Sequence, residues 1–278
     1  MPASSSRERR KNKRQQFFKQ TGVQRKAKRN TQSKPKFDTK NEDDNVVRDL
    51  GNRKKFTPHD LISVRPMNER QEDYLAAHFQ QTPITLVTGY PGTSKTFLSM
   101  YASLLEVFDD STPYDKLIIV RSAVETRSIG YLKGDTDQKL EVYELPYKGI
   151  MHELMPQFKD GYEHAKSFNK VEFMPTSFMR GRNLADCIVI VDEAQNLDYE
   201  ELKTCIGRIS HNCKIVITGD VGQDDLFRKR EKSGLPKLIK VLDTMPEGTY
   251  RHISYEKEDI VRSELVKNFI VADFEYEE

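Results

Sequence analysis

The sequence has 278 residues and a formal net charge of +2, with 36% hydrophobic and 32% charged residues. This length is sufficient to bury a core, but the high charged fraction predicts that part of the chain is not packed. No stretch approaches the roughly 18–20 apolar residues that cross a bilayer, and the charged N-terminus lacks the apolar segment of a secretory signal. Three cysteines without a C-x-x-C pair indicate neither a disulfide framework nor a zinc site, which is typical of a reducing cytoplasm.

The first 40 residues form a strongly basic arm. They carry 14 Lys or Arg and two acidic residues, whereas the rest of the chain carries 31 basic and 41 acidic residues. Because the arm has no apolar periodicity, we predict a disordered tail at residues 1–45 and a linker at residues 46–56. Its cations could release counterions from phosphates, and Phe17, Phe18 and Phe37 could stack on bases. The composition favours RNA or single-stranded DNA as a partner, and a solubilising tail is the alternative.

From about residue 57, predicted helices and strands alternate. The helical spacing of "NERQEDYLAAHF" precedes the β-branched run "ITLVTG" and the helix "KTFLSMYASLLEVF". Four further segments repeat the strand pattern: "KLIIVRS", "VEFMP", "DCIVIVDE" and "CKIVITGD", with helical stretches such as "YEELKTCIGRI" between them. The C-terminus adds the segments "LPKLIKVLDT", "YRHISY" and a final helix "EDIVRSELVKNFIVADF". This order predicts one α/β domain over residues 57–278, with a mostly parallel sheet and helices on both faces.

The stretch "GYPGTSKT" follows the first predicted strand and opens a helix, as a phosphate-binding loop does. Backbone N–H groups would surround the phosphates, Lys95 would reach the β- and γ-phosphates, and the Thr96 hydroxyl would ligate Mg²⁺. Ser94 stands where the pattern has glycine. We expect little penalty there, since serine is small and the position before the lysine should be close to helical. The predicted nucleotide-binding residues of the loop are Gly89, Tyr90, Pro91, Gly92, Thr93, Ser94, Lys95 and Thr96.

An acidic pair ends the apolar strand "CIVIV". Ligands of open α/β sheets bind at the carboxyl ends of strands, so Asp192 and Glu193 are in the expected place. Asp192 would hold Mg²⁺ through its waters, and Glu193 would orient or deprotonate the attacking water. The alternative is an acidic pair that caps the next helix.

The next apolar strand ends in Gly219-Asp220, and Gln223 follows. A glutamine beside a γ-phosphate can sense it and position water. Gln223 is therefore a candidate sensor, and a solvated residue in a glycine-led turn is the alternative.

The chain resembles the PhoH-like ATPases, a phosphate-starvation-inducible family related to superfamily-one helicases and encoded in many phage genomes. The resemblance covers roughly residues 65–272. It rests on segments that occur in order: "GYPGTSKT", "IIVRSAVE", "IGYLKGDTDQKLEVYELPY", "SFMRGRNLADCIVIVDEAQN", "VITGDVGQDDL" and "DIVRSELVKNFI". It implies a RecA-like P-loop fold, Mg²⁺-ATP, a nucleic-acid partner and a ring-shaped homo-oligomer such as a hexamer.

The resemblance also implies roles for five further residues. Gln71 is similar to the glutamine that reads adenine in helicase-type ATPases, and Arg262 to the arginine that stabilises the transferring phosphate, within a subunit or across a ring interface. Arg121, Arg180 and Arg182 lie where such proteins meet nucleic acid or couple it to the nucleotide. For all five, the alternative is a surface residue that is solvated or ion-paired.

Three departures from the family pattern stand out: Ser94, the absence of the small N-terminal domain of longer bacterial members, and the absence of a PIN nuclease domain. We therefore expect no nuclease activity.

The sequence predicts a cytoplasmic, Mg²⁺-dependent ATPase, in the host cytoplasm if phage-encoded, that works as a helicase- or translocase-like motor. One alternative is a nucleic-acid-binding protein with a slow or inert nucleotide switch. The other is a small-molecule kinase with the same loop.

Overall fold

The structure is a computed structural model that describes residues 55–80, 82–122, 136–220 and 233–277. Its α-helices are α1 (Glu69–Phe79), α2 (Lys95–Val107), α3 (Thr136–Leu154), α4 (Gly161–Ser167), α5 (Tyr199–Ile206), α6 (Leu235–Leu242) and α7 (Glu264–Glu277). Its strands are β1 (Ile84–Gly89), β2 (Lys116–Arg121), β3 (Val171–Pro175), β4 (Cys187–Val191), β5 (Cys213–Gly219) and β6 (Tyr250–Tyr255). The predicted tail and most of the predicted linker lie outside the described residues.

The six strands form one parallel sheet in the order β3-β2-β4-β5-β1-β6. Successive residues of the buried central strand β4 face opposite sides of this sheet. Ile188 and Ile190 pack in a core with residues of α1 to α4, whereas Val189 and Val191 pack in a second core with residues of α5 and α6. Helices therefore cover both faces, which confirms the predicted α/β fold of the P-loop type.

Because every strand runs in the same direction, the residues that end them meet along one edge of the sheet. The loop after β1 carries Lys95, β2 ends in Arg121, Asp192 follows β4, and Asp220 follows β5. The strands β2, β4, β5 and β1 are consecutive neighbours in the sheet. The topology thus brings together groups that lie up to 125 positions apart in the sequence.

The helices differ from the sequence prediction in two places. Neither α3 nor α4 was predicted, and α3 contains Pro146 in its interior, a residue that normally signals the end of a helix. The final helix begins at Glu264 rather than at Glu258, because a 3₁₀ turn (Lys257–Asp259) comes first. Arg262 therefore precedes this helix, and its side chain is exposed.

Among the described residues, no helix combines the length and the apolar character that crossing a membrane requires.

Candidate nucleotide site

At two positions of the phosphate loop, a residue other than glycine would be strained and would make a close contact. Gly89 has φ 128°, and a Cβ there would lie 2.1 Å from the carbonyl oxygen of Tyr255. Gly92 has φ 77° and carries the side chain of Arg262 against it. Both glycines allow the close backbone approach that a phosphate-binding loop requires.

Ser94 does not have the near-helical conformation that we expected. It lies in the left-handed region, with φ 69° and ψ 27°, immediately before the first residue of α2. The expectation of a small penalty is therefore wrong, since a left-handed residue with a Cβ costs roughly 1–2 kcal/mol. The reason is the sharp change of direction between the loop and the helix, which the glycine of the usual pattern makes without strain.

The ammonium group of Lys95 lies inside the loop. Its Nζ is 2.7 Å from the Tyr90 carbonyl oxygen, 3.1 Å from that of Gly89 and 2.5 Å from Oδ1 of Asp220. Burial raises the pKa of the Asp220 carboxyl, and Lys95 opposes this shift while the Asp192 carboxylate adds to it. The end of β5 thus supplies an acidic partner to the lysine.

Asp192 is held by three hydroxyl donors. The Thr96 hydroxyl donates to Oδ1 over 2.8 Å, Thr218 donates to the same oxygen over 2.5 Å, and Tyr147 donates to Oδ2 over 2.9 Å. Burial and the Asp192 charge raise the pKa of the Tyr147 hydroxyl, so this group remains a proton donor. Hydroxyl and carboxylate oxygens are ligands that Mg²⁺ prefers, and Thr96 and Asp192 present one of each in direct contact.

Glu193 adopts the left-handed conformation, with φ 55° and ψ 44°. The Gln195 side chain donates to Oε2 of Glu193 over 2.6 Å and accepts the Asp220 backbone N–H over 3.0 Å. Burial raises the pKa of the Glu193 carboxyl, the Asp192 charge adds to the shift, and Arg121 opposes it. Glu193 makes no capping hydrogen bond to the 3₁₀ turn (Ala194–Asn196) that follows, so the capping alternative has no support.

Arg121 lies against this acidic group. Burial disfavours its charged form, but Tyr147, Glu193 and Asp192 outweigh that effect, and the pKa of the guanidinium is raised. The side chain is also hydrogen-bonded to Tyr147. Its predicted role in binding nucleic acid stays a prediction, and its position also suits a role at the nucleotide.

The segment before α7 and α7 itself lie along the phosphate loop of the same chain. The Val261 backbone N–H donates to the Gly92 carbonyl over 3.0 Å, and a Cβ on Gly92 would be 2.9 Å from Cγ of Arg262. The ring of Phe274 lies 4.5 Å from the ring of Tyr90, measured between centroids. Arg262 thus reaches the loop from within its own chain.

Both the nitrogen and the oxygen of the Gln71 carboxamide form hydrogen bonds with backbone groups. Its nitrogen donates to the Thr93 carbonyl over 3.3 Å, and its oxygen accepts the Met67 N–H over 2.7 Å. In this arrangement Gln71 supports the phosphate loop, and its role as an adenine reader stays a prediction. Gln223 lies outside the described residues.

The two remaining predicted arginines are exposed. Arg182 donates to Oε1 of Glu172 over 2.7 Å, as its surface alternative predicts. Arg180 borders a shallow depression that also contains Asp198 and Glu201. Their roles in binding nucleic acid stay predictions.

Four residues at the site had no assigned role from the sequence: Tyr147, Gln195, Thr218 and Asp220. Gln195 lies two positions from Glu193, which it contacts, so its proximity was a usable signal. Thr218 contacts Asp192, which is 26 positions away in the sequence. Tyr147 had no such signal, because α3 was not predicted and its approach to Asp192 depends on tertiary packing.

Comparison with known proteins gives a consistent set of relatives. The PhoH-like protein family model matches residues 63–274. A PhoH-like protein of Synechocystis sp. is 33% identical over 215 residues, covering 75% of this chain and 62% of that protein. A PhoH-like protein of Bacillus subtilis is 32% identical over 217 residues, covering 76% and 64%. Protein PhoH of Escherichia coli is 29% identical over 215 residues, covering 77% and 59%. The matched part of the chain thus spans about three-fifths of the length of these relatives.

Proposed function

This chain belongs to the PhoH-like protein family, and we propose that it binds Mg²⁺-ATP and hydrolyses it while acting on RNA or single-stranded DNA as a helicase-like motor. The observation that carries the proposal is the 2.8 Å hydrogen bond from Thr96 to Asp192. This bond joins the phosphate loop to the acidic strand end, two motifs that are 96 positions apart. A loop alone would suit many phosphate ligands, whereas the loop in contact with a metal-binding acid suits a nucleoside triphosphate with its metal.

The charges at the site support a bound cation. Three carboxylates, those of Asp192, Glu193 and Asp220, lie near two cationic side chains, those of Lys95 and Arg121. Mg²⁺ would be held by Thr96 and Asp192, directly or through water. When bound, Mg²⁺ would act as a Lewis acid and neutralise the charge that develops on the phosphate oxygens.

Each residue has a task that follows from its position. Lys95 would exchange its contacts with loop carbonyls and Asp220 for β- and γ-phosphate oxygens. Glu193 would accept a proton from the attacking water, and its raised pKa brings its basicity closer to neutrality. Arg262, against Gly92, and Arg121, beside Glu193, would neutralise charge on the transferring phosphate. Catalysis would consist almost entirely of positioning and charge neutralisation.

The finer parts of the proposal concern partners and location. The basic residues 1–40 would anchor the phosphate backbone of RNA or single-stranded DNA. A single domain of this type needs a second domain or a neighbour for a motor stroke, so we propose a homo-oligomer, with a hexameric ring as the family expectation. We place the protein in the cytoplasm, that of the host if it is phage-encoded.

Two substitutions test the assignment of roles. Lys95→Ala should abolish nucleotide binding or turnover, whereas Glu193→Gln should keep binding and stop hydrolysis. ATP turnover is measured without nucleic acid and with RNA or DNA, single- and double-stranded, and binding with a fluorescent nucleotide. Equal turnover in wild type and Glu193→Gln would contradict the hydrolytic mechanism.

A nucleotide switch without significant turnover is the second candidate. The 2.5 Å contact between Lys95 and Asp220 favours it, because Lys95 must give up this partner to reach the phosphates. Tight nucleotide binding with no turnover at saturating RNA or DNA would support the switch over the motor. Phosphate transfer to an added small-molecule acceptor would instead support a kinase.

A further inference from the structure

Two cysteines face each other at the amino edge of the sheet, opposite the nucleotide site. Cys187 begins β4 and Cys213 begins β5, and the two residues are register partners on these adjacent parallel strands. Their Sγ atoms are 3.3 Å apart. Neighbouring strands lie about 4.8 Å apart, which is within the range of about 4.4–6.8 Å that disulfides span between Cα atoms.

The two thiols have different surroundings. Cys213 is partly exposed, and its pKa is lowered, first by the hydrogen bond that it shares with Cys187 and then by backbone groups of Ser210, Cys187 and Lys214. Cys187 is 1% exposed, and the shared hydrogen bond together with burial raises its pKa. Because Cys213 is partly exposed and Cys187 is buried, Cys213 is the thiol that a peroxide can reach, and Cys187 is placed to resolve the product.

We propose that Cys187 and Cys213 form a reversible oxidation site that reacts with hydrogen peroxide to give a disulfide between β4 and β5. In the first step the Cys213 thiolate attacks one peroxide oxygen, the O–O bond breaks, and a sulfenic acid and hydroxide form. In the second step the Cys187 sulfur attacks the Cys213 sulfur, the S–O bond breaks, and the Cys187 proton leaves with the hydroxyl as water. Overall, two thiols and one peroxide yield one disulfide and two waters.

The third cysteine of the chain is an internal control. Cys205 lies in α5, is fully buried, and is likewise a free thiol. Burial, with a contribution from Glu201, raises the pKa of Cys205 to about 12. It should therefore remain a thiol while the other two react.

The test uses the full chain under native conditions. The protein is treated with hydrogen peroxide, quenched with an alkylating reagent, and examined by intact mass and by peptide mapping without reduction. We expect the free thiols to fall from three to one, the monomer to lose two hydrogen atoms, and one linked peptide pair to contain Cys187 and Cys213. Dithiothreitol should restore all three thiols.

Matched alanine variants assign the link. Cys205→Ala should still form it, whereas Cys187→Ala and Cys213→Ala should not. The wild-type peptide map decides the question even if one variant fails to fold. Each of three results would overturn the proposal. The first is that all three thiols survive peroxide, the second is a link that includes Cys205 or joins two chains, and the third is conversion of Cys213 to sulfinic acid without a link. None of these readouts depends on ATP turnover.

Discussion

At the scale of single residues, Ser94 is the point where sequence and backbone conflict. Glycine adopts this left-handed conformation without strain, whereas the Cβ of serine makes it roughly 1–2 kcal/mol less favourable. We therefore expect Ser94→Gly to raise the free energy of unfolding by about 1 kcal/mol. Urea denaturation measures this change.

Ser103→Gly is the matched control for that experiment. Ser103 lies within α2, where glycine costs about 0.5–1 kcal/mol relative to alanine. The same substitution should therefore have opposite signs at the two positions. A loss of stability at both positions would contradict the backbone argument.

Tyr147 offers a second prediction at this scale. Tyr147→Phe removes the hydroxyl that donates to Asp192 while keeping the buried ring. We expect the Mg²⁺ concentration for half-maximal ATP turnover to rise roughly tenfold, since groups that orient metal ligands typically contribute this much to metal affinity. A Mg²⁺ titration of turnover is the measurement.

Tyr114→Phe is the control for Tyr147→Phe, because Tyr114 is also buried but precedes β2 at the opposite edge of the sheet. Its Mg²⁺ dependence should match that of wild type. Equal Mg²⁺ dependence in all three proteins would mean that Tyr147 does not position Asp192.

Residue by residue, the sequence predicted the groups that belong to local motifs. Lys95, Thr96 and Asp192 could be assigned because a loop and a strand end each have a recognisable pattern. The conformation of Ser94 could not, since a backbone dihedral depends on how the strand and the helix are oriented. Tyr147 could not either, because its partner is 45 positions away.

At the scale of elements, a buried ionic cluster ties α1 and α2 to β5. Oε2 of Glu106 lies 2.6 Å from Nζ of Lys214 and 2.8 Å from Nε2 of His78. Lys214 also donates to the His78 carbonyl over 2.7 Å. These side chains are almost inaccessible to water, so each one needs its neighbours to supply the hydrogen bonds and counter-charges that water would otherwise provide.

Breaking this cluster should be costly. Glu106→Gln leaves the Lys214 ammonium buried without a counter-charge, and we expect the free energy of unfolding to fall by about 3 kcal/mol. The control is Glu200→Gln, which removes an exposed ion pair with Lys203 and should change stability by less than about 1 kcal/mol. Chemical denaturation of both variants is the measurement. If the free energy of unfolding falls equally in both, the buried pair contributes no more to stability than the exposed one.

The same cluster predicts a pH dependence. Burial, and then Lys214, lower the pKa of His78 below its ordinary value of 6.5. Below pH 6.5 the unfolded chain binds a proton at His78 that the folded chain does not bind. The stability that the neutral, buried His78 contributes is therefore present above pH 6.5 and is lost as the pH falls. His78→Gln should therefore have a shallower loss of stability between pH 7 and 5 than wild type, by up to about 1.4 kcal/mol per pH unit.

Denaturation midpoints at several pH values measure this difference. His59→Gln, which changes an exposed histidine, should keep the wild-type slope. A slope for His78→Gln equal to that of wild type would remove His78 from the explanation.

The elements with strong periodicity were predictable, and those without it were not. All six strands were predicted: β1 to β5 from the strand pattern that a parallel sheet buried on both faces demands, and the edge strand β6 from its strand-like sequence "YRHISY". The helix α3 was missed because it contains Pro146 and its sequence mixes polar and apolar residues without a clear helical period. Its buried residues, such as Tyr147 and Met151, are buried by packing in the core against the sheet.

At the scale of the whole molecule, the charge is divided between a basic arm and an acidic body. Deleting residues 1–40 should weaken binding to RNA or single-stranded DNA and flatten its salt dependence, since fewer counterions are released. Affinity measured at several salt concentrations gives the slope. An unchanged slope would remove the arm from the interaction.

A matched variant separates charge from stacking. Phe17→Ala with Phe18→Ala keeps every cation of the arm, so it should lower affinity and leave the salt slope as in wild type. A flattened slope in this variant would mean that the phenylalanines act by placing the charges.

The position of α7 makes the C-terminal helix a natural place for a reporter. Its inner residue Phe274 touches Tyr90 of the phosphate loop, whereas Tyr276, two positions on, is 91% exposed. A dye attached at position 276 would leave the catalytic groups untouched and still shift with the helix whenever the loop rearranges. Its fluorescence would then report nucleotide binding and release in real time, both in single-molecule and in bulk measurements.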